Sequence, residues 1–359
     1  MKISLPICTP SILSFPRWSY LLGITECYKE TEDWFFSNFA QIACNNDYYE
    51  RGIELFIDYW RGGQEELLCN NPFLYYRIVG YDIFDCIPLS VLEEMLVSQI
   101  KKGFYPIIFL DEAKLPFSPY YSKNGDSKFP HHCLIYGYDE NSNEFLTAGF
   151  GLEDGDIYQK FSFYKVDSSL IQAAISSMSE MIKSGQIHDQ NSLFVKARIY
   201  DFADYPYGYP FNLDLLKSDL LDYINGLNSR ESNNFYTKRV SFGVAVYDVL
   251  IEYFLLLDKD IKSIPERQRA DIRHIHVLEE HKRILVKKMM YIAEKYSVNF
   301  DDEIAQCKNV SSALMKIKII LLNTNKPANF ARIAANLAKI KVFDKEVATS
   351  FLNKISLID

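Results

Sequence analysis

Short apolar runs separated by turn-forming residues fill much of the first two hundred positions and predict the strands of a buried sheet. These runs cover residues 104–110, 133–138, 144–150, 158–166 and 193–200. Segments with apolar residues three and four positions apart lie between them and predict helices. The predicted helices are residues 32–44, 52–60, 89–102 and 168–184. We therefore expect an α+β fold for this region.

The pattern changes near residue 205, where the turn-rich segment 204–210 ends the alternation of strands and helices. Beyond this segment the apolar residues recur with helical spacing to the end of the chain. The predicted helices here are residues 213–227, 243–257, 265–296, 311–322, 328–341 and 345–355. The sequence thus predicts two domains, an α+β domain over residues 1–205 and an α-helical bundle over residues 206–359.

Composition excludes several classes of protein. The 359 residues are 48% hydrophobic and carry a net charge of −8, which argues against a nucleic-acid partner because phosphate binding needs a concentrated basic surface. The seven cysteines include no CxxC pair, so we expect neither a disulfide framework nor a metal site, and no motif indicates a cofactor. No uncharged run reaches the length of a membrane span and no signal peptide is evident, so we expect a cytoplasmic protein without a membrane partner.

Two histidines lie at the start of a predicted strand. Pro130 precedes His131 and His132, and the apolar run that follows ends in a turn at residues 139–143. A histidine at the mouth of such a hairpin is held by the backbone, which suits a group that transfers a proton. The alternative is that both histidines are structural or simply face solvent.

This segment also carries a resemblance to a known family. Residues 131–139, together with 107–112, 271–273 and 280–282, resemble a group of bacterial proteins of the butirosin-biosynthesis protein H N-terminal type. The resemblance extends from about residue 34 to about residue 291. It implies a papain-like N-terminal domain, with a core helix and an antiparallel sheet, similar to the bacteriocin-processing cysteine peptidases. It also implies a role in secondary-metabolite biosynthesis, beside non-ribosomal peptide or polyketide assembly lines.

The named member of that group transfers an acyl group from a carrier protein to an aminoglycoside amine. The resemblance therefore implies an acyl carrier protein or a small-molecule thioester as donor and an amine as acceptor. It also implies that His131 is the general base.

The nucleophile is harder to assign. Papain-like enzymes place a cysteine near the start of a core helix, but the first two turns of the predicted helix 32–44 contain none. Ser37 and Asn38 occupy the part of the helix where the resemblance places the cysteine. Cys27 lies just upstream, whereas Cys44 lies at the far end and Cys133 lies within the histidine strand. The alternatives are Ser37, Cys27, one of these other cysteines, or no nucleophile at all.

The acid that would orient the histidine is equally open. Asp111 and Glu112 follow the predicted strand 104–110 and would face His131 if the two strands are neighbours in the sheet. Glu144 and Thr147 lie on the strand after the histidines. We predict Asp111 as a catalytic residue, and Asn38, His132 and Glu112 as substrate-binding residues.

A second group of polar residues lies on the predicted helix 265–296. His274 and His281 share an apolar stripe, and Arg273, His276 and Glu280 occupy the adjoining one. One interpretation is a substrate site formed by Arg273, Glu280 and His281, or a metal site, since His276 and Glu280 have the i, i+4 spacing of two ligands on one helix. The other is a buried polar network that stabilises the bundle.

Two classes of function follow from these observations. In the first, the protein is an acyl or aminoacyl transferase in which a positioned base catalyses direct attack of an amine on a thioester. In the second, it is a catalytically silent binding or accessory protein of a biosynthetic assembly line. A cysteine peptidase is a third and more remote reading, and the sequence indicates no oligomeric state.

Overall fold

The computed structural model describes residues 2–60, 71–80, 86–122, 127–152, 159–187, 193–199, 208–229, 239–259, 271–322 and 329–358. The strands in these ranges are β1 Lys2–Ser4, β2 Ile42–Asn45, β3 Ile57–Tyr59, β4 Leu74–Gly80, β5 Tyr105–Asp111, β6 Pro130–Asp139, β7 Glu144–Gly151, β8 Lys160–Asp167, β9 Leu193–Ile199 and β10 Val240–Phe242. The α-helices are α1 Pro16–Thr25, α2 Glu32–Ser37, α3 Tyr48–Arg51, α4 Leu89–Lys101, α5 Ser168–Lys183, α6 Leu213–Asn225, α7 Val246–Lys259, α8 Arg273–Tyr296, α9 Asp301–Leu322 and α10 Phe330–Ile355. This mixture of helix and antiparallel sheet is the α+β class that the sequence predicts.

The chain forms two compact units. The sheet unit contains residues 1–31 and 66–208, and the helical unit contains residues 32–65 and 209–359. The sequence instead predicts one boundary near residue 205, with residues 32–65 in the first domain. That domain boundary stays a prediction.

The sheet unit is built on one antiparallel sheet in the order β4, β9, β5, β6, β7, β8. Strand β1 pairs with the far end of β6, beyond the part that pairs with β5. Gly137 lies at this junction, where a Cβ atom would be 2.5 Å from the carbonyl oxygen of Ile3. The absence of a side chain at residue 137 therefore permits β1 to join the sheet.

Both faces of this sheet are covered by helices. Alternate residues of β5 and β6, including Ile108 and Cys133, pack against α4 and α5 on one face. Ile107 and Leu134 point to the opposite face and pack against α1. This two-sided burial explains why both strands read as nearly continuous apolar runs in the sequence.

The helical unit combines a small antiparallel sheet, β10–β2–β3, with helices α2, α3 and α6–α10. Helix α8 is buried along much of its length, and its apolar stripe joins a core with α6 and α10. Two buried lysines lie on α8. The Lys282 ammonium contacts both carboxylate oxygens of Asp344 at 2.6 Å. Lys288 donates to the carbonyl oxygens of residues 35, 36 and 38, and so caps the carboxyl end of α2.

Most predicted elements are confirmed, but two predicted helices are wrong. The helix predicted over 32–44 ends at Ser37, because Phe39 adopts φ 62° and the chain then enters β2. The helix predicted over 52–60 does not form, because Gly52 in the left-handed region ends α3 and the following residues include β3. The periodicity of such a short apolar run fits a helix and a strand equally well.

The remaining differences concern boundaries. The segments 328–341 and 345–355 form a single helix, α10, and α9 begins ten residues earlier than predicted. The predicted helix 265–296 is observed from Arg273, and its residues 265–270 lie outside the described ranges. Strand β4, which pairs with β9, was not predicted.

Candidate functional site

The site is formed where β5 ends and β6 begins. In the antiparallel register of these strands Leu110 lies opposite His131, so the residues that follow β5 are next to the histidine. A 3-10 turn over Glu112–Lys114 follows directly, and the Glu112 amide donates to the carbonyl oxygen of Phe129 at 2.8 Å. The turn after β5 is thus bonded to the segment that leads into β6, two residues before His131.

Glu112 and His131 form the central pair of the site. Nδ1 of His131 lies 3.1 Å from Oε2 of Glu112, an ion-pair distance, although the ring is not oriented for a hydrogen bond to that oxygen. The Glu112 side chain is only 2% exposed, whereas that of His131 is 27% exposed. Because Nδ1 is buried beside the carboxylate, Nε2 is the ring nitrogen left to meet a substrate.

Asp111 has a different environment from Glu112. Its fully buried carboxylate accepts hydrogen bonds from the Phe129 amide at 2.8 Å, the Ala113 amide at 3.3 Å and the Ser177 hydroxyl at 2.6 Å. These donors from the turn, from the segment before β6 and from α5 hold the backbone around the site. The structure therefore places Asp111 as a support of the site and Glu112 beside the histidine.

Aromatic rings line the side of the site that leads to solvent. Tyr120 stacks on Phe129 with ring centroids 3.9 Å apart, and Phe129 lies 5.4 Å from the His131 ring. Tyr120 is 47% exposed. The three rings form a partly open surface on which a flat or apolar group could rest.

His132 points to the other face of the sheet, as strand alternation requires. Its ring lies 4.8 Å from that of Phe109, and its Nε2 atom is buried without a hydrogen-bond partner. Burial, together with the nearby His131, lowers the pKa of His132 to about 4, so the ring is neutral at pH 7. The structure thus places His132 against apolar neighbours, away from the Glu112 carboxylate.

Cys27 is not brought together with His131. Burial raises the pKa of Tyr105, and the neighbouring Tyr28 and Cys27 add to that rise, which places Cys27 near the start of β5. His131 lies opposite Leu110, five residues further along the same strand, or about 17 Å away at ~3.4 Å per residue. The neighbours of Cys27 therefore lie at the other end of β5 from His131.

Ser37 and Asn38 belong to the helical unit. The buried Ser37 hydroxyl donates to the Asp33 carbonyl at 2.6 Å and accepts from the Asn212 amide at 2.8 Å. The Asn38 side-chain amide donates to the Trp34 carbonyl at 2.7 Å. These contacts stabilise the end of α2 and connect it to the segment before α6.

Three further cysteines are buried in apolar surroundings. Burial raises the pKa of Cys44 and of Cys307 to about 12, and burial raises that of Cys133 as well. A thiol in such an environment stays protonated and is a poor nucleophile. Helix α1, which packs on the sheet, also has no cysteine along its length.

The polar group on α8 is mainly a buried network. Nε2 of His281 donates to the Ala40 carbonyl at 2.9 Å, and burial holds the pKa of this histidine well below its usual value. The buried Glu280 carboxylate lies 3.7 Å from His276 Nε2. Arg273 instead forms a two-point ion pair with Asp271 and is 53% exposed. This arrangement fits the interpretation of a network that stabilises the helical unit.

Sequence reasoning did not identify the aromatic surface or the role of Ser177. Tyr120 and Phe129 lie in loop segments with no periodic pattern, and Ser177 is one of several serines on α5. Only the observed strand order and register connect these residues to His131.

Among the described residues, no group of three His, Cys, Asp or Glu side chains is arranged to hold a metal ion. Every helix in the described ranges is too short or too polar to cross a lipid bilayer. No protein-family model matches the chain, and a search of curated proteins finds no match either.

Proposed function

We propose that this chain is an acyl or aminoacyl transferase of secondary-metabolite biosynthesis, in which His131 is the general base and Glu112 orients it. The observation that supports this proposal is the 3.1 Å approach of the buried Glu112 carboxylate to Nδ1 of a partly exposed histidine. A carboxylate on one ring nitrogen fixes the imidazole and stabilises the cation formed when the other nitrogen takes a proton. The substrate class comes from the family resemblance.

The proposed reaction is direct aminolysis of a thioester. The amine nitrogen attacks the acyl carbon, the new C–N bond forms, and the C–S bond breaks. Nε2 of His131 takes the proton from the attacking amine and returns it to the departing thiolate, so the products are an amide and a thiol. Holding both reactants beside the base lowers the barrier without a covalent acyl-enzyme.

This version of the chemistry does not need a cysteine or serine nucleophile. The Cys27 thiol donates to the Gly23 carbonyl, and the Ser37 hydroxyl bonds to the Asp33 carbonyl and the Asn212 amide. A thioester is already activated, which makes base-assisted attack sufficient. The papain-like fold is part of the proposal, and it is supported by an antiparallel sheet with α1 packed on it and a histidine at the start of β6.

The test is a rate measurement with a panel of acyl-N-acetylcysteamine thioesters and primary amines, following amide formation by mass spectrometry. His131→Ala is expected to lower the rate by about 10²- to 10⁴-fold. Glu112→Gln should lower it by at least about tenfold, because the ring loses its orienting charge. Glu144→Gln is the same change at the start of β7, where the carboxylate contacts Ser142 and Lys165; it is the control and should keep the wild-type rate. Wild-type rates in His131→Ala would refute the proposal.

A second candidate is a binding protein without catalysis. An open cleft of about 440 Å³ in the sheet unit is lined by apolar and aromatic residues that include Leu5, Tyr136 and Phe163. Its volume lies within the range of small-molecule sites. Saturable binding of thioesters, with no turnover by the wild type across the panel, would favour this function.

A further inference from the structure

Two cysteines of the sheet unit lie side by side, at the end of β5 opposite to His131. Cys8 belongs to the segment after β1, and Cys27 follows α1. Both are partly exposed thiols. Their Sγ atoms approach the same carbonyl oxygen, that of Gly23, at 3.5 Å for Cys8 and 3.4 Å for Cys27. The two thiols also hydrogen-bond to each other, so the sulfur atoms are neighbours although the cysteines are distant in sequence.

The backbone holds the two thiols in this arrangement. The Cys8 amide donates to the Gly23 carbonyl at 2.9 Å, and the Tyr105 hydroxyl donates to the Pro6 carbonyl at 2.5 Å. A Cβ atom at residue 23 would lie 3.2 Å from the Cys8 carbonyl oxygen, so the glycine permits a close approach of the two segments.

A second contact joins the same two segments. The Glu26 carboxylate accepts hydrogen bonds from the Ser11 amide at 3.0 Å and from the Ser11 hydroxyl at 2.7 Å. The segments that carry Cys8 and Cys27 are thus cross-connected at two points, and Cys27 directly follows the second. A disulfide requires the two sulfur atoms to approach to about 2 Å, and both already lie within 3.5 Å of one carbonyl oxygen.

The two thiols differ in reactivity from the buried cysteines of the chain. A hydrogen bond from the Cys8 thiol lowers the pKa of Cys27, against the opposing effects of burial and of the Glu26 charge. The thiolate is the attacking form of cysteine, and it needs both a lowered pKa and access to the reagent. Cys27 has both properties, and Cys8 is beside it to complete the reaction.

We propose that Cys8 and Cys27 form a thiol–disulfide exchange site that reacts with small-molecule disulfides. The Cys27 thiolate attacks one sulfur of the disulfide, forms a mixed disulfide and releases one thiolate. Cys8, after losing its proton to solvent, attacks the Cys27 sulfur and releases the second thiolate. One small disulfide is reduced to two thiols, and the protein gains one Cys8–Cys27 disulfide. The site is independent of the proposed transfer reaction.

The experiment uses the full chain and glutathione disulfide as the probe. After reaction under native conditions, acid quenching and alkylation in denaturant, peptide mass spectrometry identifies the products. The wild type should give a Cys8–Cys27 disulfide. Cys8→Ser should accumulate a mixed disulfide with glutathione at Cys27, because the resolving thiol is absent. Cys27→Ser should give neither product at these positions.

Cys86 is the internal reference, because it is an exposed thiol. Cys86→Ser should form the Cys8–Cys27 disulfide as the wild type does. Thermal melting checks that the serine variants stay folded, and the Cys86 labelling rate gives a second check. A folded wild type that forms no Cys8–Cys27 disulfide, or a Cys8→Ser variant that carries glutathione at Cys86 and not at Cys27, overturns the proposal.

Discussion

The buried charge pair of the helical unit gives a prediction whose size follows from the structure. Asp344 is 1% exposed, Lys282 is fully buried, and the ammonium lies 2.6 Å from both carboxylate oxygens. The hydroxyls of Tyr223 and Tyr247 also donate to the carboxylate, at 2.5 and 2.8 Å. Asp344→Asn keeps the shape and an acceptor for a tyrosine but leaves the ammonium without an opposite charge. Removing one partner of such a pair costs about 3–5 kcal/mol of unfolding free energy.

The second variant separates charge from packing. Lys282→Met combined with Asp344→Asn removes both charges and keeps an amide oxygen for the tyrosine hydroxyls. A buried pair replaced as a whole is often neutral in stability. We therefore expect the double variant to be at least about 2 kcal/mol more stable than Asp344→Asn alone.

Urea unfolding followed by tryptophan fluorescence measures this in a Trp18→Phe background. Trp18 lies in the sheet unit, so its removal leaves Trp34 and Trp60, which both belong to the helical unit. The signal then reports the unit that contains the pair. A loss below about 1 kcal/mol in Asp344→Asn, or a double variant less stable than the single one, would refute the reasoning.

Three more predictions concern single positions. His132→Asn should make the acid limb of stability less steep: the folded-state pKa of His132 is about 4 against 6.5 unfolded, so this residue alone lowers the unfolding free energy by on the order of 3 kcal/mol as pH falls from 7 to 4. Gly243→Ala should cost at least about 2 kcal/mol in urea unfolding, because its φ is 53° and the new Cβ would lie 2.2 Å from the Tyr223 carbonyl oxygen. Ser177→Ala should cost about 1–3 kcal/mol by leaving the buried Asp111 carboxylate one donor short.

Each of these has a clear contrary result. An acid limb in His132→Asn as steep as that of the wild type would contradict the lowered pKa of His132. A Gly243→Ala variant as stable as the wild type would contradict the close approach to residue 223. For Ser177→Ala, unchanged stability would mean that the other two donors suffice for Asp111.

The strands that carry the site could be predicted from the sequence, because β5, β6 and β7 are apolar runs bounded by turn residues. Their order in the sheet could not. Periodicity shows which residues are buried, but strand order and register decide that Glu112 lies beside His131 and that Asp111 is held by Ser177. The two acids are adjacent in the sequence, and no local pattern distinguishes their environments.

The region of residues 32–60 shows a second limit. Its apolar residues fit a helical period, but a left-handed residue at Phe39 and another at Gly52 turn the chain into β2 and β3. A positive φ at a phenylalanine is rare and is imposed by tertiary packing, so no propensity would predict it. The position expected for the nucleophile therefore lies at the end of the short helix α2, where Ser37 and Asn38 bond to the backbone.

Chemical rescue of His131→Ala tests the central claim most directly. Amide formation from an acyl-N-acetylcysteamine thioester is followed while imidazole is added to the wild type, to His131→Ala and to the Glu144→Gln control. If the ring of His131 is the base, imidazole should restore part of the lost rate in His131→Ala in proportion to its concentration, and should leave the other two proteins unchanged. Full activity of His131→Ala without imidazole would contradict the account.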